Sequence, residues 1–322
     1  MKNYSVLIPV KNNAQKLGRL LSYYAKQRIR FPVFIADSSD DEAVHEVYLR
    51  WHGNFESYYV KYRPDTGIHE KVYSALPMIP TPLVAIGADD DFYIPFGLDA
   101  AAGWLKTHDD YSVCSGTGIT FSMEWRRIAT AEYRQRSIEH ESARERLQDH
   151  LSHYVPVWYS MQRTSEASQN YAKAVAACLS PWHFGESLTS CLSIIQGKSK
   201  VLDCLFMVRE LYLKRSSRAP AYNDWVHDPG FARERVMFKA IIQGSSGINL
   251  SDCDAWVQLY INSLQRYQTF PPPKSLRESV GYYMPWLTDL IQRHTGNPFD
   301  RVNLENAASP FYEEWRQIRA YL

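Results

Sequence analysis

The chain has 322 residues, room for a sizeable core and for roughly two domains or one large one, and its formal charge of +1 gives no electrostatic case for a nucleic-acid partner. The five cysteines (Cys114, Cys178, Cys191, Cys204, Cys253) form no Cys-x-x-Cys pair, which argues against a zinc knuckle or a disulfide framework and for reduced thiols. No signal-peptide pattern opens the chain and no apolar run reaches the ~18 residues of a membrane span, so a cytoplasmic location is expected, with peripheral contact at the inner membrane face left open.

Ser5-Val6-Leu7-Ile8-Pro9-Val10 reads as a buried strand with Pro9 near its end, where no ladder donor is needed. A polar loop, Lys11-Asn12-Asn13, leads into Leu17, Leu20, Leu21 and Tyr24 at helical spacing. Phe31 to Ala36 is a second strand, ending in Asp37-Ser38-Ser39-Asp40. A helix over 42–51 follows, with Ser39 or Asp40 as its expected N-cap. Ser57 to Tyr62 is a third strand, and Asp65-Thr66-Gly67 turns into a helix carrying Lys71, Val72 and Leu76. Leu83-Val84-Ala85-Ile86 is the fourth strand. Four alternations of strand and helix predict a parallel sheet with helices on both faces.

The fourth strand stops in three consecutive carboxylates, Asp89-Asp90-Asp91. A solvated acidic turn is the bland interpretation. Placement at the carboxyl end of a parallel strand favours a ligand site instead, because open α/β sheets bind ligands there. Adjacent acids repel one another, and Mg²⁺ or Mn²⁺ is the simplest counter-charge. If the strand continued through the acids, Asp89 and Asp91 would share a face, since side chains alternate.

Beyond the acids, a helix is expected over 97–108 and a strand over 111–116. The charged stretch 123–150 reads as an exposed helix or a mobile insertion. Val155 to Met161 is strand-like, and helices are expected over 166–179 and 184–196. Val201 to Val208 is another strand; a polar loop, 223–229, precedes a helix over 231–242. Gly244-Ser245-Ser246-Gly247 is the best linker signal. A mostly helical tail follows, with an apolar cluster over 282–291 that packs on the rest of the chain, forms a homodimer or meets a membrane surface.

Four stretches resemble the GT-A nucleotide-sugar glycosyltransferases of the broad inverting family 2. They are Val6-Leu7-Ile8-Pro9-Val10-Lys11-Asn12, Ile35-Ala36-Asp37-Ser38-Ser39-Asp40, Gly87-Ala88-Asp89-Asp90-Asp91-Phe92 and Phe184-Gly185-Glu186-Ser187. The likeness covers about residues 4–240 and extends to a bacterial subgroup seen with surface-polysaccharide synthesis. It implies a Rossmann-like α/β fold: a mixed, mainly parallel sheet flanked by helices, with a helical C-terminal extension. The expected parts are a nucleotide-sugar half at 1–125, an acceptor half at 126–243 and the extension at 248–322.

The resemblance also assigns roles. The third stretch corresponds to the metal-binding DxD motif, with Asp91 as the direct ligand of Mn²⁺ or Mg²⁺. Asp89 orients the ribose or the metal's water shell, and Asp90 contacts the donor sugar. Pro9, Val10 and Asn12 line the base and ribose pocket, and Asp37 accepts from the nucleobase unless it caps the next helix. Lys71 meets a phosphate or is an ordinary surface lysine. Glu186 is the catalytic base or a first-turn acid complementing the helix dipole. The family's second acid is Ser187 here. His227 completes the metal site or is a plain loop histidine. Trp158, Trp182 and Trp225 stack on sugars or belong to the core.

The function implied is metal-dependent inverting transfer from a nucleotide-sugar donor, UDP-linked by preference, to a saccharide or lipid-linked acceptor. A nucleotidyltransferase would need a Gly-rich phosphate loop after the first strand, which Lys11-Asn12-Asn13 is not. A non-catalytic sugar or nucleotide scaffold stays open because fold alone does not establish function.

Overall fold

The computed structural model describes residues 2–124, 127–133, 135–180, 182–210, 222–268, 304 and 307–322. The C-terminal apolar cluster at 282–291 and the prolines at 271–273 lie outside the described residues.

The first half is built as the alternation predicts. Strands β1 (Tyr4–Val10), β2 (Val33–Asp37), β3 (Ser57–Lys61) and β4 (Leu83–Ile86) alternate with helices α1 (Ala14–Lys26), α2 (Ala43–Trp51) and α3 (Ile68–Ala75). β1 pairs parallel with β2 on one side and β4 on the other, and β2 carries β3. Every residue of β1, β2 and β4 is buried, which is why these strands read as unbroken apolar runs. On α1, Leu17, Leu20, Leu21 and Tyr24 form the buried stripe. The expected cap of α2 is not realised: the helix starts at Ala43 behind Glu42, without a side-chain cap, because Ser39 and Asp40 are bonded to Asn12 instead.

The second half is mixed. It comprises β5 (Asp91–Tyr93), α4 (Pro95–Thr107), β6 (Tyr111–Glu124), β7 (Arg127–Tyr133), α5 (Ala143–Ser152), β8 (Met161–Arg163), α6 (Thr164–Ala176), α7 (Phe184–Gln196) and β9 (Lys198–Glu210). The described strands form one sheet in the order β3-β2-β1-β4-β8-β6-β9-β5, with β7 paired to β6. The sheet curls, since β5 follows β4 closely in sequence yet pairs with β9 at the far end. Tyr93 ties the curl shut: its single hydroxyl proton is shared between the Ile86 carbonyl at 2.8 Å and the Tyr159 carbonyl at 2.6 Å.

Several expectations for this half change. The described residues of the charged stretch are not one exposed helix. Its start is a hairpin of β6 and β7, and its end is α5, docked with Arg146, Leu147, His150 and Leu151 buried. Arg146 is spent on helix ends: it donates to the Ile194 and Ile195 carbonyls at the end of α7. The strand expected over 155–161 is mostly turn, with Ser160 N–H bonded to the Val157 carbonyl, and only Met161–Arg163 pairs. The linker signal becomes a helix end. Helix α9 (Phe231–Ser246) runs through Gly244 and stops at Gly247, whose φ of 67° is the left-handed turn that glycine allows cheaply.

Three helical layers complete the molecule. Helices α3 and α6 cover one sheet face, around Val72, Leu76, Ala167 and Tyr171. Helices α1 and α4 cover the other, with the C-terminal α11 (Tyr312–Arg319) inserting Trp315 and Ile318 into the same core. Helices α5, α7, α9 and α10 (Leu250–Gln268) pack around Phe184, Phe238, Trp256 and Tyr260, with the short α8 (Tyr222–Val226) alongside. No helix among the described residues is long and apolar enough to cross a membrane.

Candidate active site

The chain leaves β1 for β2 on one side while β4 lies on the other, which makes the carboxyl ends of β1 and β4 a topological switch point, where open α/β sheets bind ligands. The loop after β1 laces that rim together. Asn12 takes a left-handed φ of 54°, a conformation its short polar side chain tolerates. Its backbone N–H donates to Ser39 Oγ at 2.7 Å, and its side chain exchanges bonds with Asp40. On the other side Asn13 Nδ2 donates to Asp89 Oδ1 at 2.7 Å, and Lys16 Nζ lies 3.3 Å from Asp90. Pro9 and Val10 are buried strand residues beneath this rim.

Two polar groups under the rim are supports. Asp37 is completely buried and accepts from the Ser39 N–H, the Tyr59 hydroxyl and Lys61 Nζ. Burial raises its pKa, but these bonds outweigh that cost and leave it below the ordinary carboxylate value. It does not cap α2, so that alternative falls. Lys71 is not a surface lysine either. Only 3% exposed, it donates to the Val10 carbonyl at 2.6 Å and Ser38 Oγ at 2.9 Å. Burial lowers its pKa to about 8, partly offset by Asp37 and Asp89.

The three acids do not continue a strand. β4 ends at Ile86, Asp89 and Asp90 form a turn, and Asp91 opens β5. Asp91 is 1% exposed, and its Oδ2 makes no hydrogen bond. In the β5–β9 ladder it stands opposite Arg209, whose Nε lies 3.4 Å from Oδ2, a charge contact too poorly aligned for a full hydrogen bond. Burial and then the Asp90 charge push Asp89 up to about 7, with the Asn13 bond pulling the other way. Asp91 is raised by burial against the pull of Arg209.

Arg209 is held from below by Tyr159. Its Nη2 donates to the Tyr159 hydroxyl at 2.8 Å, and the guanidinium carbon sits 4.1 Å from the centre of that ring. Trp158 stacks on Tyr159 at 3.8 Å.

Glu186 meets this cluster from the first turn of α7. Burial raises its pKa; the Arg209 charge and the Trp158 indole N–H, which lies beside the carboxylate without closing a full hydrogen bond, pull it partly back. Trp158 is therefore an indole that tunes it. The start of α7 is set rigidly. His183 takes a φ of 53° and stacks on Trp225 at 4.2 Å, while Tyr260 donates to its carbonyl. Ser180 donates twice to buried Glu234, at 3.0 Å each. A Cβ on Gly185 would lie 1.9 Å from the Ser180 carbonyl oxygen, so only glycine permits this approach.

No protein-family model and no curated relative matches the chain. Solved structures do. Residues 1–349 of S. aureus TarS in complex with UDP-GlcNAc superpose with a TM-score of 0.57 at 17% identity, over 90% of this chain and 81% of that one. Longer TarS gives a TM-score of 0.54 at 14% identity, over 99% of this chain and 53% of that one. This is a GT-A-like fold.

In the GT-A-like frame the predicted residues divide. Asp91 and Glu186 both feel the Arg209 charge, Asp89 and Asp90 are held by Asn13 and Lys16 of the loop and helix after β1, and Pro9, Val10, Asn12 and Asp37 build the neighbouring rim. Trp225 is 3% exposed and belongs to the core. His227 is exposed, and among the described residues no three His, Cys, Asp or Glu side chains form a metal cage, so the structure does not assemble it with Asp89 and Asp91. Mg²⁺ and Mn²⁺ need no such cage, since one or two carboxylates plus substrate phosphates commonly hold them. The unbonded Asp91 oxygen and the crowded charge on Asp89 and Asp90 fit such a cation. Arg209 was missed from sequence. Its signal was an apolar strand, Phe206-Met207-Val208, stopping in Arg209-Glu210, the same strand-end pattern as the acids.

Proposed function

We propose that the protein is a metal-dependent inverting glycosyltransferase, transferring a sugar from a nucleotide donor to a saccharide or lipid-linked acceptor in surface-polysaccharide synthesis. One observation carries this: on a GT-A-like sheet, Arg209 pairs with buried Asp91 of the acid triplet, and its charge also reaches Glu186 at the start of α7. TarS, solved with UDP-GlcNAc, supports a UDP-sugar as the first donor to test.

Pro9, Val10 and the Asn12 backbone form the base and ribose wall. Asp37, being buried, acts through Tyr59 and Lys61, which it holds at the rim. Lys71 fixes the end of β1 and Ser38 rather than meeting phosphate. Asp91 and Asp89 would hold Mn²⁺ or Mg²⁺, which supplies Lewis-acid stabilisation of the diphosphate leaving group. Glu186 accepts the proton of the acceptor hydroxyl as that oxygen bonds to the anomeric carbon. The bond from that carbon to the diphosphate breaks on the opposite face, which inverts the configuration. Burial raises the Glu186 pKa and so makes the carboxylate a stronger base, while the Arg209 charge pulls it partly back.

Nucleotide release from a panel of sugar nucleotides with Mn²⁺ tests the proposal. Turnover of at least one donor is expected, with loss of transfer in Glu186→Gln. The pairing of Asp91 with Arg209 favours one rival, a non-catalytic nucleotide-sugar binder. Donor binding without turnover of any donor would select it.

A further inference from the structure

Arg209 has a place in the site that the transfer reaction does not by itself require. It lies opposite Asp91 in the β5–β9 ladder and approaches the buried carboxylate to 3.4 Å. The Tyr159 hydroxyl and ring hold the guanidinium from the other side. Tyr159 is itself fixed, stacked on Trp158 and bonded through its carbonyl to Tyr93. A guanidinium so clamped is a resident positive charge at the carboxylate that the cation would use. The two cations cannot both neutralise Asp91 fully, because like charges that share one carboxylate repel.

From this geometry we infer that Arg209 is a built-in counter-cation for Asp91, which a divalent metal must displace, so that Arg209 positions Asp91 and sets metal affinity low. The inference rests on the proposed metal role of Asp91. Its consequence is an exchange of partners. When metal with nucleotide diphosphate takes Asp91, the guanidinium is released toward its remaining neighbours, Tyr159 and Glu186. Metal alone then binds weakly, and metal with nucleotide binds well, since the phosphates supply the missing ligands. Donor loading and readiness of the acceptor side are thereby linked through one side chain.

The test measures Mn²⁺ affinity by titration calorimetry, without nucleotide and with UDP, together with melting temperature in chelator. Arg209→Gln should lower the metal-free melting temperature, because Asp91 loses its counter-charge, and should tighten Mn²⁺ binding about tenfold or more. Arg209→Lys keeps a competing charge and should stay near the wild type. Tyr159→Phe removes one hydroxyl from the clamp and should tighten Mn²⁺ binding in the same direction but less; it serves if Arg209→Gln does not fold. A merely structural arginine predicts the reverse, weaker Mn²⁺ binding along with lower stability. Equal or weaker binding in Arg209→Gln and Tyr159→Phe, with binding lost in Asp91→Asn, overturns the inference and leaves the metal site standing. Equal Mn²⁺–UDP binding by wild type and Asp91→Asn, or none by either, overturns both.

Discussion

Glu186 is the residue on which the proposed chemistry turns, and its surroundings fix the sign of each effect. Glu186→Gln keeps size and most hydrogen bonds but removes the proton acceptor. Single-turnover transfer should fall about 10²–10⁴-fold while donor affinity, measured in parallel, holds. A first-turn acid serving only the helix dipole would instead cost about 0.3–1 kcal/mol of stability and leave transfer intact. The pH profile gives a second check. Burial raises the Glu186 pKa, so the acidic limb of the rate should lie above the ordinary glutamate range, with activity lost as pH falls through it. The Trp158 N–H favours the ionised form, so Trp158→Phe should move that limb to still higher pH.

Among the elements, α7 and α5 carry the sharpest tests. The N-terminus of α7 is set by the approach of Gly185 to the Ser180 carbonyl and the His69 ring. Gly185→Ala must push the Ser180 carbonyl away from the helix. It should cost about 1–3 kcal/mol in urea unfolding and lower kcat more than donor affinity, because Glu186 moves while the β1 and β4 rim does not. In α5, His150 is 1% exposed, its Nε2 has no hydrogen bond, and burial, with Arg136 adding, lowers its pKa to about 3. The folded state therefore holds it neutral while the unfolded chain binds a proton below the ordinary value of 6.5. Its contribution is complete above pH 6.5 and is lost as pH falls from there toward 3, about 3 kcal/mol by pH 4. His150→Phe removes this proton linkage. His150 lines a small cavity together with Ser115, Ile138, Val157 and Val201. The acid unfolding midpoint of the variant should drop relative to wild type.

At the scale of the whole molecule, the chain ends where it began. Helix α10 closes the core around α5 and α7, whereas α11 joins the core that α1 and α4 cover, where Trp315 is 1% exposed and lies 5.9 Å from Phe121 of β6. Tyr321 meets Tyr23 of α1 edge-on at 5.8 Å. The same α1 carries Lys16 and Arg19, which pair with Asp90 and with Glu210, the neighbour of Arg209. Trp315→Ala should cost about 3–5 kcal/mol by denaturant titration, as for a core tryptophan, and not the small value of a tail residue. A single cooperative transition is expected, shifted as a whole.

What the sequence determined by itself is the parallel half and the location of the acids. Buried strands such as Leu83–Ile86 announce themselves through local apolar runs, and helix α1 through its spacing, because both are properties of neighbouring residues. The triplet Asp89-Asp90-Asp91 just beyond the Leu83–Ile86 run is likewise a matter of neighbouring residues. The family likeness brought in Glu186, whose own signal is only a first-turn acid. Tertiary structure decided the rest. Asp91 meets Arg209 only because the sheet curls and β5 pairs with β9 rather than with a sequence neighbour. Lys71 is buried because the loops after β1 and β2 offer it acceptors, which its polar type argued against. The α5 segment docks because Arg146 finds the open carbonyls of α7, a match its charged composition hides. Long-range pairing and the satisfaction of buried polar groups depend on which surfaces meet, and local pattern carries no record of that.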